Sequence, residues 1–159
     1  MTSDDVRRRT FNRAIKLLTI KARSVAELRE RLLQGGNTTD AIVDVVIARL
    51  QEYGYLNDER FAFSYASLRV KQRPLGRRRL ERDLKLKKVE NSVAEEALTL
   101  VYAETPEEQL IDLAIEKRIR LRGRPKTRLE AKSLFDHLLR QGFAFDLVSE
   151  RVRALFDPY

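Results

Sequence analysis

Three leucine pairs constrain this chain more than any other feature. Leu28/Leu32, Leu80/Leu84 and Leu134/Leu138 are each spaced i, i+4, and they recur at offsets of 52 and 54 residues. That spacing puts both side chains of a pair on one face of a helix. A second set keeps step with the first. Ile42, Val46 and Leu50 match Val93, Ala97 and Val101 at an offset of 51, and Val148, Val152 and Phe156 at 106. Gly36 and Gly142 also lie 106 apart. The pattern predicts one three-helix unit used three times, over residues 8–53, 57–104 and 106–156. Units of this size bury their apolar faces on their neighbours, so the expected fold is all-α, an elongated, curved array of three tandem three-helix repeats.

Local signals point the same way. Gly and Pro number only six and four, and few runs alternate with period two. Ser24-Val-Ala-Glu27, Ser92-Val-Ala-Glu95, Thr105-Pro-Glu-Glu108 and Thr127-Arg-Leu-Glu130 fit the capping box, in which a hydroxyl and a later carboxylate satisfy orphan N–H groups. Pro106 falls at an expected first helical position, where a missing N–H costs nothing. Stops are expected at Gly35-Gly36, Gly54, Gly123 and Gly142. Breaks near 23, 36, 55, 73, 90, 105, 124 and 143 leave about nine helices.

Charge is segregated along the chain. Residues 7–23 hold seven basic side chains and no acid, 69–88 hold ten basics against Glu81 and Asp83, 89–116 hold eight acids and no basic residue, and 117–128 hold seven basics and no acid. The whole chain carries a formal charge of +8. Blocks this clean imply elements assigned to different faces, and a basic block calls for an anionic counterpart. With no cysteine there is no disulfide, thiolate nucleophile or Cys-based metal site. No run approaches the ~18 apolar residues of a membrane span and the first residues lack an apolar leader, so a cytoplasmic protein with no membrane partner is expected.

Two motifs carry a family resemblance. The junction Gly54-Tyr-Leu-Asn-Asp-Glu-Arg-Phe-Ala62, followed by Arg73-Pro-Leu-Gly-Arg-Arg-Arg-Leu80, resembles the signature of the bacterial RecX family of recombination regulators. Arg23-Ser-Val-Ala-Glu-Leu-Arg-Glu-Arg-Leu32 is similar to that family's opening motif. The resemblance covers roughly residues 11–156 and is strongest across 23–84. The chain departs from the pattern at Asn37, where the family usually has an apolar residue, and at Lys88, where it often has glycine. The resemblance implies tandem three-helix repeats and a monomer without cofactor or enzymatic activity. It implies binding in the groove of the RecA–DNA filament, with RecA and non-specific single- and double-stranded DNA as partners. Filament growth, ATP hydrolysis, strand exchange and the repressor cleavage promoted by RecA would be hindered.

The residues themselves offer a surface for such a role. The candidate contact set is Arg69, Lys71, Arg73, Arg77, Arg78, Arg79, Arg82, Lys85, Lys87 and Lys88 in the first block, with Arg118, Arg120, Arg122, Arg124, Lys126 and Arg128 in the second. On a helix from about Leu75, Arg78, Arg82 and Lys85 share one face while Leu80, Leu84 and Val89 face elsewhere. Arginine predominates, and its planar fork holds phosphate or carboxylate through two parallel bonds. Tyr53, Tyr55, Phe61, Phe63 and Tyr65 bracket the first junction, where packing between repeats is the expected role. Asn57-Asp58-Glu59 reads as the cap and acidic first turn of the next helix. His137 is the sole histidine and reads as a half-buried structural residue, and there is no phosphate-cradling glycine loop and no HExxH motif. The competing reading is an autonomous nucleic-acid-binding protein of helix-turn-helix-like modules. Against it, Glu27, Arg29, Glu30 and Arg31 nearly balance in the first module, where a repeated reader would repeat its basic face.

Overall fold

The structure, a computed structural model, describes residues 1–156 of the 159. Among them are nine helices and no strand: α1 (Ser3–Ile20), α2 (Val25–Gln34), α3 (Asp40–Glu52), α4 (Asp58–Gln72), α5 (Arg77–Leu86), α6 (Asn91–Glu104), α7 (Glu107–Arg122), α8 (Arg128–Arg140) and α9 (Phe145–Leu155). The described residues are all-α, and most breaks fall at glycine, proline or a cap, whereas the one after α5 turns on Lys88. All six leucines of the repeating pairs are buried, four in α2 and α5 and two in α8.

Helix ends show the repeat most directly. After α2, α5 and α8 the chain passes through the left-handed region at Gly36 (φ +69°), Lys88 (+60°) and Gly142 (+95°). These positions keep the 52 and 54 spacing of the leucines. Behind α5, Val89 N–H donates to the Leu84 carbonyl at 3.1 Å and Lys88 N–H to Lys85 at 3.0 Å. Behind α8, Phe143 and Gly142 donate in the same pattern to Leu138 and Leu139. This double closure satisfies carbonyls that a helix end otherwise leaves open, and it drops Val89 and Phe143 into the core. Lys88 thus adopts, with a side chain, a backbone conformation that glycine takes at no steric cost.

Helix starts differ in detail from the sequence expectation. Ser24 forms its capping box with Glu27. Thr127 accepts from Glu130 N–H, but the Glu130 carboxylate turns to the Lys126 N–H at 2.7 Å. The box expected at Ser92 does not form, because α6 begins at Asn91, two residues before the start a Ser92 cap requires, and leaves Ser92 inside the helix. The box expected at Thr105 fails too. Pro106 occupies the N-cap itself, with extended ψ and no side-chain cap, and α7 begins at Glu107. A box unnoticed in the sequence, Thr2 with Asp5, starts α1.

Two compact units can be described separately. One comprises Met1–Ala62 with Leu84–Ala94, the other Phe63–Asp83 with the described residues from Glu95 on. In the first, Ala14, Leu28, Leu32, Val43, Val46, Ile47, Leu50 and Leu56 form the core, flanked by Phe11, Ile15 and Leu18. In the second, Leu75, Leu80, Leu98, Leu110, Ile111, Leu138 and Phe143 are almost wholly buried. Each such side chain contributes about 1.5–3 kcal/mol on leaving water.

The same device joins the middle helix of one triplet to the opening helix of the next, once in each unit. In the first unit, Val25 N–H at the start of α2 donates to the Asp58 carboxylate at 2.8 Å. In the second, Arg77 N–H at the start of α5 donates to the Glu107 carboxylate at 2.6 Å. Asp58 and Glu107 each lie in the first turn of their own helix, α4 and α7. Ser24, fully buried, accepts from Glu27 N–H and donates its hydroxyl to the Lys87 carbonyl at 2.6 Å. Gly76, 52 residues on, donates its N–H to the Gln141 carbonyl at 2.9 Å.

Candidate functional site

The structure sorts the sixteen candidate cations into those used within the fold and those left to solvent. In the second unit, Asp83 is the hub of the first kind. Its side chain is only 14% exposed, and it takes Arg69 at 3.6 Å and Arg79 at 3.5 Å. The Tyr65 hydroxyl donates to the same carboxylate at 3.4 Å, and the Arg69 guanidinium lies 6.0 Å from the Tyr65 ring centre. Burial, then the Asp83 charge, pushes the Tyr65 hydroxyl above its ordinary pKa. Arg77 is likewise engaged. It donates to Glu81 at 3.3 Å and, through Nη2, to the Glu95 carbonyl and the Thr99 hydroxyl at 3.2 Å, tying α5 to α6. In the first unit, Lys87 pairs with Glu27 at 3.6 Å and Lys88 with Glu30.

The remaining candidates have no carboxylate within ion-pair distance among the described residues. Lys71, Arg73, Arg78 and Arg82 are exposed in the second unit, and Arg82 makes only a long 3.5 Å contact to the Arg140 carbonyl. Lys85 is exposed in the first unit. Along α5 the expected division holds: Arg78, Arg82 and Lys85 are exposed while Leu80 and Leu84 are fully buried. In the second block Arg120, Arg122, Arg124, Lys126 and Arg128 all face solvent on the end of α7, the start of α8 and the loop between. Gly123, at φ +77°, lets that loop leave α7. Cations near the end of α7 are also favoured by the helix dipole, but those beyond Gly123 lie outside that effect.

Arg118 is half-buried and meets only neutral atoms, His137 Nδ1 and the Ser133 hydroxyl, each at 3.4 Å. His137 is held below its ordinary pKa first by burial, then by Arg118, Arg140, Arg122 and Arg73. Sequence reading missed Lys117 and Arg140 as members of this cluster. Lys117 opens the second block, but Arg140 lies twelve residues beyond its end and only the pairing of α7 with α8 brings it in. The acidic run 89–116 is put partly to internal use, Glu107 on the Arg77 N–H and Asp112 on Arg151 at 2.8 Å.

The aromatic residues of the first junction separate. Phe61 is buried, whereas Tyr53 and Tyr55 are 52% and 58% exposed, so packing between repeats does not account for those two. Their rings meet at a tilt of 56° with 5.9 Å between centres, and Tyr53 and Phe11 meet edge to face at 6.3 Å. Arg49 sits 5.8 Å from the Phe11 and Tyr53 centres and donates to the Tyr53 hydroxyl at 3.0 Å. Phe11 and Tyr53 are too far apart in sequence for any local pattern to announce this cluster. No group of His, Asp and Glu suited to a metal ion occurs among the described residues, and no helix there is long and apolar enough to cross a membrane.

Comparison with known proteins identifies the pattern. Residues 11–50 match the family model of the first three-helix domain of RecX, and residues 57–98 that of its second. A Regulatory protein RecX of Bacillus velezensis is 34% identical over 148 residues, covering 92% of this chain and 54% of that one, so the chain spans about half the length of its Bacillus relative. A Regulatory protein RecX of Prosthecochloris aestuarii is 33% identical over 141 residues, 89% of either chain. The crystal structure of RecX from Lactobacillus salivarius superposes with a TM-score of 0.83 at 22% identity, covering 96% of this chain and 97% of that one. A second RecX crystal structure gives 0.79 at 21% identity, with coverage of 95% and 73%. Family models, relatives and fold agree, and the chain belongs to the RecX family.

Proposed function

We propose that this chain is a non-enzymatic regulator that binds the RecA–DNA filament and restrains what the filament does: ATP hydrolysis, strand exchange and stimulated repressor cleavage. The observation that carries the reading is the set of exposed, uncompensated cations, Arg78 and Arg82 on α5 and the α7–α8 group from Arg120 to Arg128. Free guanidinium forks have five donors each and a preference for phosphate and carboxylate. Three modules, 8–53, 57–104 and 106–156, would meet successive positions along the filament. The test is RecA ATP hydrolysis on single-stranded DNA titrated with the protein. Hydrolysis should fall as protein is added, and an unchanged rate at saturating protein refutes the reading.

A second reading draws on α5, which presents Arg78, Arg82 and Lys85 outward in the manner of a helix that enters a DNA groove. It predicts nanomolar affinity for a particular duplex and no effect on RecA. The filament reading instead predicts sequence-indifferent DNA binding, weaker than binding to the filament at the same salt. With about five phosphates contacted, the slope of log affinity against log salt would be about −4 to −5.

A further inference from the structure

A hollow in the second unit is lined by Arg73, Lys117, Arg118 and His137 among neutral side chains. Its lining holds three permanent cations and no carboxylate. Arg118 also lines a neighbouring hollow with Arg122, Ser133 and Glu130, so its side chain is shared by the two. The Glu130 carboxylate there accepts the Lys126 N–H at 2.7 Å and forms no ion pair with either arginine. The partners of Arg118 are two neutral atoms at 3.4 Å, long for a group that forms its strong bonds with anions at about 2.7–2.9 Å. The fold could have supplied a carboxylate. In the same unit it gives Arg151 both Asp112 at 2.8 Å and Glu150 at 2.9 Å, and Asp136, next to His137 in sequence, is taken by Lys132 at 3.2 Å. Like charges gathered without a counterion repel one another, and the repulsion is relieved when an anion enters.

We infer that this hollow is a seat for one phosphodiester of a nucleic-acid strand, gripped by Arg118, and that His137 takes up a proton from the buffered solvent as the phosphate docks. The seat presupposes the polyanion-binding role proposed above and adds its place and its coupling. In the free protein neutral His137 offers Nδ1 to Arg118. On protonation that nitrogen becomes a donor, the contact is lost, and the guanidinium and the imidazolium N–H both turn to the phosphate oxygens. The groups that bear on the ring are Arg118 and Arg122 from α7, Arg140 from α8 and Arg73 from the segment before α5. All are cationic, and with burial they keep the free ring neutral near pH 7. An anion among them raises the pKa of the ring. Binding then tightens as pH falls through the pKa of the bound form, and levels off below that of the free form, tenfold for each unit between the two.

Because the chain has one histidine, its ring resonances in the full protein report this site alone. The experiment follows them by NMR from about pH 5 to about 8, with no addition, with sulfate, and with an oligothymidylate whose binding is tracked by anisotropy. The oligothymidylate should raise the midpoint by about one unit, a tenfold change in proton affinity, and Arg118→Gln should abolish the rise while leaving the circular dichroism unchanged. Should Arg118→Gln disturb the fold, the exposed Arg122→Gln serves instead and should reduce the rise. A midpoint unmoved by saturating oligothymidylate, or moved equally in the variants, overturns the seat. So does a midpoint that responds to sulfate alone, which would mark a site for small anions. Loss of the effect with RecA inhibition intact sinks only the seat; a persistent effect without inhibition sinks only the filament reading.

Discussion

The N–H of Gly76 donates to the carbonyl of Gln141 at 2.9 Å, which brings the entry of α5 against the exit of α8 backbone to backbone. The Arg78 N–H continues the contact to the Gly142 carbonyl at 3.1 Å. Three N–H groups at the start of α5 thus find partners outside the helix, two on this carbonyl edge and the third, Arg77, on Glu107. A Cβ on Gly76 would fall 2.3 Å from the Gly142 backbone, and one on Gly142 would fall 2.3 Å from the Arg79 nitrogen.

Either glycine should therefore resist replacement by alanine. Gly142→Ala adds left-handed strain, at φ +95°, to the collision, while Gly76→Ala meets the collision alone. Overpacking of this kind costs about 1–3 kcal/mol, with about 1–2 kcal/mol more for the left-handed residue. Urea unfolding should show both losses, with Gly142→Ala the larger. A wild-type midpoint for Gly142→Ala would refute the close approach.

Lys88→Gly should have the opposite sign. Lys88 holds φ +60° at the position where Gly36 and Gly142 sit in the other triplets. Removing the side chain relieves about 1–2 kcal/mol of strain and loses an exposed ion pair to Glu30, a contact of about 0–1 kcal/mol. Greater freedom of the unfolded chain takes back up to about 1 kcal/mol. The net expectation is an increase of a few tenths to about 1 kcal/mol by the same unfolding measurement. A loss of stability would show that the ion pair outweighs the backbone.

Asp58 ties pH to stability in the first unit. Burial raises its pKa above 3.8, opposed by the Val25 N–H bond and reinforced by Glu27. A carboxyl with a raised folded pKa favours the folded state below its unfolded value, and that contribution is lost as pH rises through the folded pKa. Asp58→Asn keeps an oxygen for Val25 N–H and removes the buried charge, so stability at pH 7 should hold or rise, and the slope just above pH 3.8 should flatten. Asp58→Ala leaves the N–H unmet and should cost about 0.5–2 kcal/mol. Equal destabilisation by both variants would rule out this account.

The arginines of 77–82 should part into two groups. Charge reversal at Arg78 and Arg82, both exposed and without carboxylate partners, should preserve unfolding behaviour while weakening DNA binding and making the salt slope shallower by about 0.9 per lost phosphate contact. Reversal at Arg79 would set a new carboxylate against the largely buried Asp83, and reversal at Arg77 would break its bonds to Glu95 and Thr99. Both should destabilise, so reversing all four together would mix folding with binding. Indistinguishable thermal midpoints for the Arg77, Arg78, Arg79 and Arg82 single variants would defeat the division.

The sequence by itself determined the helices, their breaks and the triplet period, because these rest on relations spanning one or two turns. Leu28 and Leu32, Ser24 and Glu27, and the glycines just past α2 and α8 are close enough to be read off the chain. It also determined that α5 is amphipathic, since Leu80 and Leu84 share a face that Arg78 and Arg82 do not. Beyond the i,i+4 pairs such as Arg79 with Asp83, tertiary structure alone decided what each charge does. Whether a cation is a brace or a free donor depends on a carboxylate that can lie anywhere in the chain: Lys88 meets Glu30 across 58 residues, Arg151 meets Asp112 across 39, and Arg118 meets none. Helix periodicity is a local property of the backbone, whereas Coulomb energy depends on separation and burial in space. Only the packed structure fixes those two quantities.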